Sequence, residues 1–283
     1  MTATPLVSII CAAWNAERTI GEAIASVLAQ QHMNWELLIG DDGSTDGTVE
    51  VVRGVNDPRI RLVQLPHMGV GAARNALLER MQGEYFCFLD ADDVLPPPSI
   101  AARVALLIAG EGAAFADGAV EMRSGDLSQV IDRWRPAATG DPLPHLLVLD
   151  GKCFLGNTWL VRRDALRGAR FEPGLTHGED LLFCLELLDG RRYVHTPETV
   201  LWYRRGAGGA MSDLRGLENG YATLYQRLCT AHLLTPSARC RFKRRIARIM
   251  ILSHLKNGRA PFAAARVLVR YAFLRSSKPN TPR

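Results

Sequence analysis

The chain has 283 residues, of which 47% are hydrophobic and 22% charged, and its formal net charge is +5. That length can bury a sizeable core, so one large α/β domain with an appendage, or two small domains, is expected. No apolar run reaches the ~18 residues of a membrane span, so a membrane-spanning protein is not expected. The six cysteines are scattered and form no CxxC pair, so a disulfide scaffold is not expected either.

Charge is divided unevenly along the chain. Of the 34 Lys and Arg, 14 follow Glu218, whereas none of the 29 Asp and Glu does, so residues 1–218 carry −9 and residues 219–283 carry +14. This asymmetry predicts an anionic surface as the partner of the basic tail. Scattered cysteines and the lack of a recognisable signal peptide predict a cytoplasmic location.

The amino-terminal part alternates strands with helices. Strands are predicted at 6–11, 35–40, 59–65 and 85–89, and helical patterns separate them at 17–30, 48–53 and 69–83. This β-α order predicts a parallel, right-handed, doubly wound sheet.

The remaining patterns are weaker. A helix is predicted at 99–108, a short strand at 113–119, an irregular or two-stranded excursion at 121–150, strands at 154–162 and 193–203, a short helix from 163 and an apolar helix at 181–188. In the tail, an apolar helical stripe is formed by Phe242, Ile246, Ile249, Met250 and Ser253, and a second helix follows a break at 258–261.

Carboxylates cluster directly after two of the predicted strands. Asp90, Asp92 and Asp93 follow the fourth strand, and Asp42 follows the second. Ligands of open α/β sheets bind outside the carboxyl ends of the strands, so both clusters are expected at one edge. Crowded carboxylates repel one another unless a cation compensates, which predicts Mg²⁺ or Mn²⁺ held with substrate phosphates. The alternative is a polar turn that caps the next helix.

Four ordered blocks within 7–188 resemble the family 2 glycosyltransferases, which have a GT-A fold. The blocks are VSIICAAWNAERTIGEAIASVLAQ, WELLIGDDGSTDGT, GVGAARNALLERMQGEYFCFLDADD and HGEDLLFCLEL. The resemblance implies an inverting enzyme that moves a sugar from a nucleoside diphosphate, by preference UDP, to an acceptor hydroxyl. Surface polysaccharide or glycolipid biosynthesis, with a saccharide or lipid-linked saccharide acceptor, is the implied setting.

The resemblance also implies a donor site. Trp14 stands where an aromatic ring lies against the nucleobase, and Asp42 where a carboxylate accepts from the base or ribose. Arg74 is expected to reach the donor phosphate or sugar. The other residues implied for nucleotide-sugar binding are Ala12, Glu17, Asp90 and Ala91. Simpler alternatives are a core aromatic for Trp14, a turn residue for Asp42 and a solvated helix residue for Arg74.

Two acidic motifs carry the implied chemistry. Asp90-Ala91-Asp92 matches the DxD motif, with Asp92 as the metal ligand and Asp90 and Asp93 as further candidates. Asp180 matches the second position of the ED motif, the general base, with Glu179 in support. The chemistry agrees, because an attacking hydroxyl must lose its proton to a nearby base. The alternative for the ED pair is a helix N-terminal cap.

The implied architecture has a catalytic domain at 1–218 and a helical tail. Residues 1–120 form the nucleotide-sugar half, 121–218 the acceptor half, and 219–283 the basic tail. A basic loop at 203–212 is predicted to close over the diphosphate. The chain has no QxxRW motif after the ED motif, which favours single-sugar addition over polymerisation.

The tail admits two interpretations. In the first, segment 239–275 is a basic amphipathic helix that binds an anionic membrane, which predicts a peripheral enzyme on the inner face of the cytoplasmic membrane. In the second, the apolar stripe of this segment packs on the catalytic domain and the arginines are solvated. Nucleic acid is not an expected partner, because the tail lacks aromatic interleaving and zinc spacing. Two rival functions stay open, a sugar nucleotidyltransferase and an inactive binding protein of the same fold.

Overall fold

One eight-stranded mixed sheet organises the computed structural model, which describes residues 4–205, 213–230, 234–256 and 261–273. The strands are β1 Val7–Ala13, β2 Trp35–Asp41, β3 Ile60–Gln64, β4 Tyr85–Phe88, β5 Ala113–Arg123, β6 Val130–Trp134, β7 Leu160–Arg162 and β8 Arg192–Arg204. The helices are α1 Ile20–Leu28, α2 Thr48–Arg53, α3 Val70–Leu78, α4 Ser99–Ala109, α5 Leu143–Val148, α6 Glu179–Leu187, α7 Leu214–Thr230, α8 Pro236–Lys256 and α9 Pro261–Phe273. A 3₁₀ turn occupies Arg163–Ala165.

The first four strands are parallel, in the order β3-β2-β1-β4. Both faces of β1 and β2 are covered, so nearly every residue of these strands is buried and the sequence shows continuous apolar runs rather than alternation. The register pairs Ala13 with Asp41 and Ile10 with Phe88, which brings the carboxyl ends of β1, β2 and β4 together. The predicted doubly wound, mostly parallel sheet is confirmed.

The second half of the sheet departs from the predicted pattern. β7 pairs antiparallel with both β4 and β5, β6 forms an antiparallel pair with β5, and β8 runs parallel to β5. The predicted short strand at 113–119 extends to Arg123 because β8 pairs along its whole length. Of the strand predicted at 154–162 only Leu160–Arg162 forms, and helix α5 lies in the region predicted as irregular or two-stranded.

The apolar stripe of the tail is buried against the rest of the protein. Phe242, Ile246 and Met250 are each fully buried, in the same hydrophobic cluster as core residues of α6 and α7. Packing on the domain is therefore the alternative that holds, and a membrane-bound role for this stripe is wrong. α7 runs across residue 218, where the predicted catalytic domain ends, and the proposed division at that point stays a prediction.

Within the described ranges, no helix is both long and apolar enough to cross a bilayer. Residues 206–212 of the predicted basic loop, and 274–275 at the end of the predicted membrane-binding segment, lie outside the described residues.

Candidate active site

Arg74 of α3 joins the two acidic motifs. Its Nη2 donates to Asp90 Oδ1 at 2.7 Å and its Nη1 donates to Asp180 Oδ1 at 2.7 Å, across 106 residues of sequence in the second case. The side chain is only 4% exposed, so the alternative of a solvated helix residue is wrong. Burial alone would lower the pKa of Arg74, but Asp180 and Asp90 raise it above the ordinary value. Its charge is therefore permanent, and the guanidinium orients carboxylates on both sides.

Aromatic rings form the floor beneath this arginine. The guanidinium Cζ lies 5.5 Å from the centroid of Phe88 and 5.2 Å from that of Phe171. Phe171 stacks on Phe183 of α6 with centroids 4.3 Å apart. Asn75 fixes Phe171 through two backbone hydrogen bonds, donating to its carbonyl at 2.9 Å and accepting from its N–H at 2.8 Å. These contacts hold the first turn of α6 against α3.

Glu179 and Asp180 occupy that first turn of α6, after Gly178 in a left-handed conformation with φ of 77°. Burial and the neighbouring Asp180 raise the pKa of Glu179 to about 7. Burial also raises the pKa of Asp180, although the Arg74 guanidinium and the Asn157 amide beside it act in the opposite direction. The two carboxylates therefore hold protons more readily than free side chains, as a proton acceptor working near neutrality requires.

The DxD loop is held from β8 by Arg204. The Arg204 N–H donates to Asp93 Oδ1 at 2.8 Å, and its Nε donates to the Asp92 carbonyl at 2.6 Å. Its Nη2 reaches Glu22 of α1. Arg204 thus supports the DxD loop from the end of β8. The predicted closure of residues 203–212 over the diphosphate stays a prediction.

Two of the three carboxylates of the acidic cluster are accessible at the rim. Asp92 is exposed and the side chain of Asp90 is 41% exposed, whereas Asp93 is 2% exposed and faces β8. Burial and the Asp90 carboxylate raise the pKa of both Asp92 and Asp93. Throughout the described part of the chain, no three His, Cys, Asp or Glu side chains surround a common ion position. Asp92 with Asp90 fits a cation that takes its other ligands from substrate, a pattern typical of Mg²⁺ and Mn²⁺. The position of Asp93 does not favour its predicted role.

Trp14 and Asp42, the two residues predicted to bind the nucleobase, both contact His67. Trp14 is 55% exposed, so the core alternative is wrong, and its indole stacks on His67 with centroids 4.9 Å apart. Asp42 accepts from the backbone N–H groups of Met68 and Gly69 at 2.8 and 2.9 Å. His67 Nδ1 also lies 2.9 Å from Asp42 Oδ2. His67 thus covers the stacking face and the carboxylate that the sequence predicted for a base.

The remaining predicted donor residues lie close by. Glu17 accepts from the Gly47 N–H at 3.1 Å, which ties the start of α1 to the loop after β2. Ala12 is partly exposed near the end of β1, and Ala91 is buried between the two DxD aspartates. Their roles in nucleotide-sugar binding stay predictions.

A buried carboxylate on β5 was not predicted from the sequence. Asp117 is fully buried, accepts from Tyr193 Oη at 2.9 Å and from the Gly118 N–H at 2.7 Å, and burial raises its pKa to about 6. Its position within an apolar strand gave no signal, because its partners come from β8 and from the next residue.

Comparisons with known proteins converge on one family. Residues 8–168 match the model of "Glycosyl transferase family 2". An "Uncharacterized glycosyltransferase" from Haemophilus influenzae is 33% identical over 187 residues, covering 65% of this chain and 72% of that protein. The Escherichia coli "UDP-Glc:alpha-D-GlcNAc-diphosphoundecaprenol beta-1,3-glucosyltransferase WfgD" is 39% identical over 104 residues, covering 36% of this chain and 41% of the relative, less than half of its length.

A solved structure shares the fold. The "Mannosyltransferase PcManGT from Pyrobaculum calidifontis in complex with GDP-Man and Mn2+" superposes with a TM-score of 0.60 at 24% identity, covering 98% of this chain and 78% of that one. This likeness confirms the predicted GT-A fold.

Proposed function

This chain belongs to glycosyl transferase family 2 and is a glycosyltransferase, and from that premise we propose that it moves one sugar from a UDP-sugar to a hydroxyl of a lipid-linked saccharide. The Escherichia coli relative is named for a UDP-glucose donor and a diphosphoundecaprenol-linked acceptor, which supports this choice of substrates. The product belongs to surface polysaccharide or glycolipid biosynthesis. The donor-binding half at 1–120, the acceptor-side half at 121–218 and the tail are part of the proposal.

The observation that carries the proposal is the shared arginine. A transferase needs the leaving diphosphate and the attacking hydroxyl on opposite sides of one anomeric carbon. Arg74 holds Asp90 of the DxD motif and Asp180 of the ED motif at 2.7 Å on either side of one guanidinium. Groups for both ends of the reaction therefore lie within the span of one sugar ring.

Asp180 acts as the general base. Arg74 engages its Oδ1, which leaves Oδ2 to accept the proton of the acceptor hydroxyl. The acceptor oxygen forms a bond to the anomeric carbon while the bond from that carbon to the diphosphate breaks, and the electron pair leaves with the nucleoside diphosphate. Glu179 supports Asp180, because its raised pKa keeps it partly protonated near neutral pH and limits repulsion within the pair.

Asp92 and Asp90 are the residues that would hold Mn²⁺ or Mg²⁺. Their oxygens are hard ligands and Asp92 is exposed, while partial burial and the neighbouring Asp90 carboxylate raise its pKa. When bound, such an ion supplies Lewis-acid stabilisation to the leaving diphosphate. Once the His67 ring has moved away from both side chains, Trp14 and Asp42 receive the uracil ring, by stacking and by accepting its imide N–H.

A donor panel tests the function. The protein is incubated with Mn²⁺ and individual nucleotide sugars, and release of nucleoside diphosphate is measured for wild type, Asp92→Asn and Asp180→Asn. We expect UDP release from one donor, strongly reduced in both variants. Pyrophosphate as product would favour a nucleotidyltransferase, and no turnover with any donor and acceptor would favour an inactive binding protein.

The proposed peripheral location rests on the exposed face of α8. Arg241, Arg244 and Arg248 are exposed there, and the buried stripe points the other way. Flotation of the full-length protein with anionic liposomes should decrease when all three arginines are changed to Gln. Because the full-length protein keeps the tail, its hydrophobic core is not exposed by the change. Flotation equal to wild type would remove this role of the tail.

A further inference from the structure

A cavity of about 490 Å³ opens between α7 and α9. It is lined by Arg215, Glu218, Asn219, Arg266 and Arg270. Three arginines face one acidic side chain, Glu218, and no Asp or Glu follows it in the sequence. The excess of positive charge gives the cavity an affinity for anions.

The single carboxylate of the cavity is already neutralised. Glu218 is 1% exposed, and its Oε1 accepts from Arg270 Nη1 at 2.7 Å while His254 Nε2 lies 3.7 Å from its Oε2. Tyr271 Oη adds a hydrogen bond to the Glu218 carbonyl at 3.2 Å. This network fixes α9 on α7 and gives the cavity rigid walls.

Two arginines are left with their charge available. Within the described ranges, neither Arg215 nor Arg266 has a carboxylate at ion-pair distance, and both side chains are exposed. A planar guanidinium matches two oxygens of a phosphate, so two of them facing one cavity suit a diphosphate better than a single carboxylate.

An apolar side chain stands on the same face of α9. Phe262, Arg266 and Arg270 follow one another at four-residue intervals, which places them along one stripe of the helix. Phe262 is 91% exposed, the most exposed of the large hydrophobic residues within the described ranges. A bare phenyl ring beside an arginine cavity suits a ligand whose anionic group continues into a hydrocarbon chain.

α7 connects the cavity to the catalytic loop. A Cβ at Gly216 would lie 2.4 Å from His177 Cε1, and one at Gly220 would lie 2.2 Å from the His177 carbonyl oxygen. The helix that carries Arg215 therefore packs directly on the residue two positions before Glu179. A ligand held in the cavity is positioned relative to the general base by rigid contacts.

We propose that Arg215 and Arg266 bind the diphosphate of a lipid-linked acceptor, with Phe262 contacting the first isoprene units. This inference rests on the proposed function, since it names the anionic group of the acceptor. It assigns Arg266 of the tail, together with Arg215, to substrate recognition.

Binding of geranyl diphosphate and of inorganic pyrophosphate to the full-length protein tests this assignment by titration calorimetry. EDTA is present, so that the acidic rim cannot recruit either anion through a metal. Arg215→Gln/Arg266→Gln removes the two free charges, and Phe262→Ser removes the ring. Arg80→Gln/Arg163→Gln is a control of equal charge change at two exposed positions outside the cavity. Circular dichroism of each variant checks the fold.

We expect geranyl diphosphate to bind wild type and the control equally, and the Arg215/Arg266 variant at least about tenfold more weakly. Phe262→Ser should weaken geranyl diphosphate and leave pyrophosphate unchanged. Equal binding by the Arg215/Arg266 variant, or no binding by wild type, would overturn the site. Pyrophosphate binding as tight as geranyl diphosphate, unaffected at Phe262, would identify a free-anion site and overturn the lipid assignment. No donor is present, so failure of the proposed function would appear separately, as absent UDP release.

Discussion

Replacing Arg74 by Met tests the core of the catalytic arrangement. The change keeps the length of the side chain over Phe88 and Phe171 but leaves Asp90 and Asp180 without their common cation. Losing one partner of a buried charge cluster costs about 3–5 kcal/mol, and partial exposure of both carboxylates reduces the expected loss of unfolding free energy to about 2 kcal/mol. The fold should therefore survive.

Activity should fall much further than stability. With Asp180 no longer oriented, the contribution of general-base catalysis is lost, which lowers kcat by about 10²–10⁴-fold. Arg74→Lys should recover little, because one ammonium cannot donate in line to both carboxylates. The assay is steady-state UDP release at saturating donor and Mn²⁺, alongside urea unfolding. Arg80→Met, at an exposed position on the same side of the sheet, is the matched control.

A double variant separates orientation from direct phosphate binding. If Arg74 acts through Asp180, then Arg74→Met combined with Asp180→Asn should be no slower than Asp180→Asn alone, because groups that work as a unit are not additive. If Arg74 instead contacts the donor phosphate, as its sequence motif predicted, the losses should multiply and the KM for donor should rise. That second pattern, or a kcat for Arg74→Met above half of wild type, would refute the proposed orientation of the base.

Three further changes test other parts of the molecule. His67→Ala should tighten UDP binding about three- to tenfold in calorimetry, because the imidazole no longer covers Trp14 and Asp42; weaker binding would mean that His67 holds the base instead. Asp92→Asn should raise the Mn²⁺ concentration for half-maximal activity at least about tenfold, and an unchanged requirement would place the ion elsewhere. The pKa of Asp117 rises from 3.8 to about 6 on folding, so its contribution to stability is full at low pH and is lost as pH rises through about 6. Asp117→Asn should shrink the difference in urea-unfolding free energy between pH 5 and pH 8 by about 1.4 kcal/mol, and an equal difference would contradict a buried titrating Asp117.

The parallel half of the fold could be predicted from the sequence because local patterns decide it. Strands β1, β2 and β4 are short apolar runs covered on both faces, and helices with 3.6-residue periodicity separate them. The region beyond Ser99 was harder, since β7 has only three residues and depends on neighbours β4 and β5 for its pairing. The sequence predicted the apolar stripe of α8 from its helical spacing, but it did not predict the surface against which the stripe packs.

Site residues that act through another part of the chain left no local signal. His67 follows Pro66 in a loop, and only folding brings its ring onto Trp14 and Asp42. Arg204 reads as part of a basic run, yet its hydrogen bonds reach the DxD loop and α1. The acidic motifs could be recognised because their carboxylates are adjacent in the sequence. The groups that orient these carboxylates come from distant segments, so no local pattern predicted them.

The two halves of the active site are therefore mechanically linked. Asp90 belongs to the strand-end loop that meets the donor, Asp180 belongs to the helix that meets the acceptor, and Arg74 holds both at 2.7 Å. A cation arriving beside Asp90 would compete with Arg74 for its negative charge, and weakening that ion pair leaves the guanidinium more strongly drawn to Asp180. Binding on the donor side thus changes the electrostatic environment of the base before the acceptor reacts. The pKa of Asp180 should accordingly be lower with the metal ion bound than in the free protein.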